Sequence, residues 1–448
     1  MPAVLHLKPD EIDTNEKRGK YTASVIGCEQ KGVLYAAAFA EAGFKVICTD
    51  ADQTLVKRLA KGKTPFSDRE IESKLKSFLR KGQITVTSEL KNAVSQSDII
   101  IMTLTAKIDG KKHLDYTEVE SICKQVGAAL SRGALFIYGG IAGLGFTEGI
   151  VKETLENTSG FRVGEDFGLV YNPIQVFDQQ PFDSITNQEL KVAAMDRTSL
   201  DSAATVMAVI TRKGVKQISN FKTAEAAVLF SIAKKDANLA LANELAVFCE
   251  SAGVDYFETV KLVDTHEPSF LPTVEVGEED RNEANLLIES AENLNVKLRL
   301  PALAIKINEN IVRHAFNLTK DALRSCGKTL RRARVAVLGT AKPTATMFVK
   351  MLEQKGAKAS LYDPLLPKYD MANMPRMFKR SMKETVEGTD CVVLLTELDR
   401  FKRLNLKKLR AVMKTPAAIV DLTGIIEPKK VERKGFTYRG LGRGVEKK

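Results

Sequence analysis

The chain has 448 residues, 44% of them hydrophobic and 27% charged. That is enough apolar content to bury cores in two or three domains, and it excludes a disordered or low-complexity protein. The formal charge of +11 points to anionic ligands or partners, but there is no Trp and no basic stripe interleaved with aromatics, which argues against a dedicated nucleic-acid binder.

Residues 1–21 read as an N-terminal extension with several acids and no apolar stretch of the secretory type. No later run is apolar enough to cross a bilayer. Six cysteines (Cys28, Cys48, Cys123, Cys249, Cys326 and Cys391) are scattered without a C-x-x-C pair. The expectation is a reduced, cytoplasmic protein with no disulfide framework and no membrane association. His6, His113, His266 and His314 show no metal-ligand spacing, so no metal is expected from them.

Residues 22–199 alternate strand and helix patterns. YTASVIG (21–27) reads as a buried strand, VLYAAAFAEAG (33–43) as a helix closed by Gly43, and FKVICTD (44–50) as the next strand. SDIIIMTL (97–104), GALFIYGG (133–140) and DFGLVYNP (166–173) follow. Strands separated by helices imply a parallel sheet. Residues 200–330 change character. Two long helical patterns, 223–253 and 299–327, flank an acidic stretch at 264–287, which suggests a central helical domain that dimerises. Residues 331–448 restart the alternation with RRARVAVLG (331–339), a helix over 344–357, and strands in KASLYDP (358–364), TDCVVLLTE (389–397) and AAIVDL (417–422). The expected fold is α/β: two Rossmann-like doubly wound domains joined by a long central helical domain.

The first strand enters the turn Gly27-Cys28-Glu29-Gln30-Lys31-Gly32. A dinucleotide-binding turn reads G-x-G-x-x-G. Gly27 serves the tight turn and Gly32 the packing of helix on strand. Glu29 stands where the middle glycine would let backbone amides approach a pyrophosphate. Asp50, at the end of the second strand, matches the acid that binds the ribose of NAD, or else caps a helix.

Two nucleotide-type domains around a long helix resemble the UDP-glucose / UDP-N-acetylmannosamine 6-dehydrogenase family. The resemblance is carried by VICTDADQTLVKRLAKGK (46–63), TEGIVKETLENTSGFRVGEDFGLVYNP (147–173), TAEAAVLFSIAKKDANLALANELAVFCESAG (223–253) and GFTYRGLGRG (435–444). It implies NAD as cofactor, held by Gly27, Gly32, Asp50 and Thr105. It also implies a nucleotide or nucleotide-sugar ligand near Asn172 and Lys342. The family's catalytic groups do not carry over. Its Cys loop aligns with the acidic run Glu278-Glu279-Asp280, and no Cys lies between 250 and 325. Its helix Lys and Asn become Val228 and Ile232, its Glu after Asn-Pro becomes Ile174, and its Thr turn becomes Gly140-Ile141-Ala142. Without the thiol there is no thiohemiacetal to hold an aldehyde. No catalytic residue is therefore assigned. The leading expectation is a non-oxidising binding, scaffold or regulatory protein, a homodimer or a hetero-oligomer with a paralogue. One alternative is a UDP-sugar 6-dehydrogenase with atypical residues. The other is altered chemistry in the acidic loop 278–283, with Glu283 as a further carboxylate.

Overall fold

The computed structural model describes residues 4–66, 68–108, 114–174, 176, 181–263, 271–274, 278–339, 343–364 and 377–444, without the side chains at 278–282, 343 and 346. The chain divides into two compact units: Met1–Ser231 with Asn285–Leu294, and Ile232–Ala284 with Asn295–Lys448.

The first unit is built on one eight-stranded sheet. In chain order its first strands are β1 (Thr22–Ile26), β2 (Lys45–Thr49), β3 (Ile84–Thr87) and β4 (Ile99–Met102). A short antiparallel pair follows, β5 (Lys107–Ile108) with β6 (Leu114–Asp115), and lies apart from the sheet. The sheet continues with β7 (Leu135–Tyr138), β8 (Gly168–Tyr171), β9 (Leu190–Ala193) and β10 (Val215–Ile218). Its order is β10-β9-β8-β7-β4-β1-β2-β3. The inner strands β4, β7 and β8 are continuous apolar runs because both faces are covered. Ile99 and Ile101 enter one core, Ile100 and Met102 the other; Leu135 and Ile137 oppose Phe136 and Tyr138 in the same way.

Two features differ from the sequence reading. The sheet is not wholly parallel: β9 runs antiparallel to β8, joined through Tyr171 opposite Ala193, and β10 follows β9. The first sheet also continues to Ile218, past the boundary expected at 199. The long helices form as the periodicity suggests, over Phe221–Ala252 and Arg299–Ser325. The first of them runs through the division between the units at 231, so the expected 200–330 segment is shared between units.

The second unit carries a five-stranded, all-parallel sheet. Its strands are β11 (Arg334–Leu338), β12 (Lys358–Tyr362), β13 (Cys391–Leu394), β14 (Ala418–Asp421) and β15 (Thr437–Gly440), in the order β12-β11-β13-β14-β15. Val335 and Val337 face one core, Ala336 and Leu338 the other. In each sheet the strand order reverses beside the first strand, at β1/β4 and at β11/β13. Ligands of doubly wound folds bind in the crevice outside such a switch point.

Candidate functional site

At the β1/β4 switch point the dinucleotide-type turn has two glycines with separate duties. Gly27 has φ +84°, a backbone conformation that disfavours any side chain. A Cβ on Gly32 would lie 1.9 Å from the Gly27 carbonyl oxygen. Gly32 is thus required by the approach of the Gln30–Glu41 helix to the turn. Thr103, just past β4, donates its hydroxyl to the Gly27 carbonyl at 2.7 Å and locks the turn from below. Sequence reasoning passed over Thr103. Its position directly after the apolar run of β4 was the available signal.

Glu29 precedes the Gln30–Glu41 helix with φ −69° and an exposed side chain, and makes no capping hydrogen bond. An ordinary backbone angle and an exposed position explain why the fold accepts it. Asp50 sits just past β2. Its Oδ2 accepts the Cys28 amide at 2.7 Å and its Oδ1 the Asp52 amide at 2.9 Å. The helix-cap alternative for Asp50 falls to its neighbour: Asp52 caps the Gln53–Leu59 helix by accepting from the Thr54 amide. A carboxylate offers about four acceptor sites, so Asp50 retains capacity for ribose hydroxyls while it ties β2 to the turn. The ribose end of an NAD site therefore fits these residues. The pyrophosphate end departs from the pattern, since Glu29 stands at the middle glycine position of the turn.

Thr105 accepts the Ile141 amide at 3.3 Å, joining the loop after β4 to the loop after β7. That second loop is closely packed. A Cβ on Gly140 would lie 2.2 Å from the Leu104 carbonyl oxygen. Ile141 and Ala142 are buried, so this loop presents apolar side chains of its own. Asn172 is buried as well, and both ends of its side-chain amide are hydrogen-bonded. The Tyr35 hydroxyl lies 2.7 Å from its Oδ1 and 2.8 Å from its backbone carbonyl and shares its one proton between them, and its Nδ2 donates to the Lys191 carbonyl at 2.7 Å. Ile174 is buried in the core that contains Tyr35. Lys342 lies outside the described residues, as do His113 and His266.

Glu225, in the Phe221–Ala252 helix, is buried and accepts the Gly145 amide at 2.6 Å and the Thr147 amide at 2.9 Å. It caps the helix that starts at Thr147. Three residues on, Val228 is buried too. Burial raises the Glu225 pKa against the pull of its amide donors. The sign of the linkage follows. The unfolded chain ionises first, so stability from this group is present below the unfolded carboxyl pKa and falls as pH rises through the folded one. Glu225→Gln is expected to flatten that slope, read as urea midpoint against pH between weakly acidic and neutral solution; parallel curves for variant and wild type would refute the assignment. Beside this cap, Tyr116 stacks on Phe146 with centroids 4.5 Å apart, and a cavity of about 200 Å³ opens between them, Leu144 and Glu289.

In the second unit Gly339 follows β11 with φ +144°, and a Cβ there would meet the Thr396 hydroxyl at 2.7 Å. Asp421, at the end of β14, is wholly buried. It accepts from the amides of Thr423 (3.0 Å), Gly424 (2.9 Å) and Ile426 (2.8 Å) and from the Thr423 hydroxyl (2.9 Å). The acidic run at 278–283 is not a loop: it opens the Glu278–Asn293 helix. Its residues lack Gly and Pro, and acids at a helix N-terminus suit the dipole. Among the described residues no group of three or more His, Cys, Asp or Glu is placed to hold a metal ion.

Two doubly wound sheets, each with a glycine turn at its switch point, define a nucleotide-binding type of α/β protein. Residues 21–209 match the NAD-binding domain of the UDP-glucose/GDP-mannose dehydrogenase family, residues 222–310 its central domain and residues 342–428 its UDP-binding domain. The chain belongs to the UDP-glucose/GDP-mannose dehydrogenase family. It is 27% identical to the UDP-N-acetyl-D-mannosamine dehydrogenase of Pyrococcus horikoshii over 94% of this chain and 99% of that one. It is 23% identical to the UDP-glucose 6-dehydrogenase of Rhizobium meliloti over 94% and 99%. The solved structure of the Pyrococcus horikoshii UDP-D-ManNAc dehydrogenase superposes with a TM-score of 0.83 at 26% identity, covering 94% of this chain and 99% of that one. No described helix is long and apolar enough to cross a membrane.

Proposed function

We propose that this chain is a non-oxidising member of its family, acting as a binding, scaffold or regulatory protein for a nucleotide or nucleotide-sugar. The carrying observation is the apolar filling of positions where the resemblance expects chemistry. Ile174, Ile141, Ala142 and Val228 replace acid, hydroxyl and ammonium groups, and all are buried. Their burial supports a packed interior over a wet, reactive cleft. A set of catalytic groups that act as a unit loses many orders of magnitude in rate when its members are removed. The purified chain, given NAD with UDP-N-acetylmannosamine, UDP-N-acetylglucosamine or UDP-glucose, is expected to yield no NADH absorbance. Turnover that survives repurification away from host enzymes would overturn the proposal.

The same reading includes assembly as a homodimer or with a paralogue. Leu241, Leu245 and Phe248 expose one face of the Phe221–Ala252 helix, and Phe248 is 65% accessible. Apolar faces of this kind favour a covering partner. Light scattering on the same preparation reports whether a second copy supplies it.

A second reading, an NAD-dependent UDP-sugar 6-dehydrogenase with atypical residues, is favoured by the likeness to such enzymes over 94% of the chain. Glu29→Gly bears on both. Like charges near 4 Å repel by about 1 kcal/mol in water and more in a partly dry cleft, so the variant is expected to bind NAD about fivefold tighter or better, read by calorimetric titration. Equal or weaker binding would show that Glu29 turns away from the cofactor path.

A further inference from the structure

A separate surface in the second unit carries a concentration of positive charge. Residues 403–414 hold five cations and no acid, and residues 427–434 hold four cations against two acids, Glu427 and Glu432. That is seven net positive charges in two short segments of a chain whose total is +11. The segments form the Leu406–Val412 and Pro428–Glu432 helices. They border an open, solvent-facing pocket of about 410 Å³, lined among others by Leu404, Leu406, Lys407, Lys430, Arg433 and Lys434. Leu404 and Leu406 are half-buried and form an apolar wall, while the cations are exposed. Lys430 is paired with Glu427 at 2.9 Å. Among the described residues no carboxylate lies within ion-pair distance of Lys407 or Lys434.

We propose that this pocket binds a phosphate-bearing small molecule. Lys407, Arg433 and Lys434 around one concavity, with Lys430 held beside them by Glu427, raise the local concentration of a multiply charged anion more than scattered lysines do. Arg433 adds a planar fork suited to phosphate oxygens, and the lysines act as point charges around it. The volume falls within the usual range for small-ligand pockets, and the leucine wall gives room for an apolar or planar part of the ligand. An acidic peptide or a nucleic-acid strand would use the charge but not the concavity.

The test uses the full chain and inorganic tripolyphosphate as probe. Titration at about 0.15 M salt, where screening sets in over about 8 Å, is expected to give a saturable one-site isotherm. The double variant Arg433→Glu with Lys434→Glu is expected to weaken it about tenfold or more. Lys61→Glu with Lys81→Glu, exposed cations of the first unit, makes the same change in net charge and is expected to leave it unaltered. All four side chains are exposed, so thermal unfolding of both variants is expected to match wild type; that control keeps a loss of binding from being a loss of fold. Equal weakening in the two double variants would reduce the effect to diffuse charge and overturn the proposal, as would the absence of saturable binding in wild type. Tighter binding of a single-stranded oligonucleotide than of tripolyphosphate, lost with the same pair, would assign the surface to nucleic acid and overturn it as well.

Discussion

Gly32→Ala is expected to destabilise the first unit by about 3 kcal/mol or more, at the upper end of overpacking costs in close-packed interiors. The new Cβ would stand 1.9 Å from the Gly27 carbonyl oxygen, and a backbone atom cannot rotate away as a side chain can. Helix propensity works in the opposite direction, since Ala is favoured over Gly by about 1 kcal/mol in a helix interior. The clash wins because relieving it means moving the Gln30–Glu41 helix, whose residues from Gly32 to Ala40 are buried, or moving the turn. Moving the turn also strains the Thr103 hydroxyl bond to Gly27 and the Asp50 bond to the Cys28 amide. Thermal unfolding of the full chain should show the transition of the first unit lowered by roughly 6–12 °C, at 2–4 °C per kcal/mol for a domain of this size. An unchanged transition would mean that the helix has slack here.

That expectation separates two glycine requirements that a motif treats as one. Position 32 answers to the fold. Position 29 does not, because a residue there is extended and exposed, and the protein's packing sets no glycine requirement. A chain can therefore lose the middle glycine and keep its sheet, its helix and its place in the family. The same reasoning applies at the loops after β7 and β8. Gly140 is retained where the Leu104 carbonyl leaves no room, while Ile141, Ala142 and Ile174 fill the neighbouring space with apolar groups.

How much of this was legible in the sequence depends on the range of the interaction. The strands were, because a run such as Ile99–Met102 buried on both faces has no polar gap to hide it. The two long helices were, because no glycine or proline interrupts the first, and the proline of the second, Pro301, falls in its opening turn, where a missing amide hydrogen costs no helical bond. The reversal of β9 was not, because strand direction is set by the partner rather than by local pattern. The role of Asn172 was not either. Its amide is taken up by Tyr35 and Lys191, and the contact with Tyr35 spans a large separation in sequence. Asp50 and Asp52 look equivalent in sequence, and only the structure gives the cap to one and the turn to the other. The acidic run at 278–283 reads as a solvated loop by charge alone, yet it contains no glycine or proline and folds as the start of a helix, where acids suit the dipole.

Asp421→Ala is expected to cost the second unit about 3 kcal/mol or more, since hydrogen bonds to a charged group contribute about 1.5–3 kcal/mol each. The carboxylate is wholly buried and serves three amides and a hydroxyl within five residues. Each amide left without an acceptor in a dry site costs about 1–3 kcal/mol, so even partial rehydration of the turn leaves a large deficit. Asp421→Asn is the sharper variant. It keeps the shape and one acceptor, but its NH2 would face the Ile426 amide, donor against donor. Charge-free Asn should therefore fall close to Ala, well below wild type. With two units in one chain a single unfolding midpoint is ambiguous, so the measurement is hydrogen exchange at the Gly424 and Ile426 amides. Both are expected to lose protection in both variants, while the β11 and β13 amides change less. Full protection in Asp421→Asn would show that the turn stands on the chain's own geometry rather than on the carboxylate.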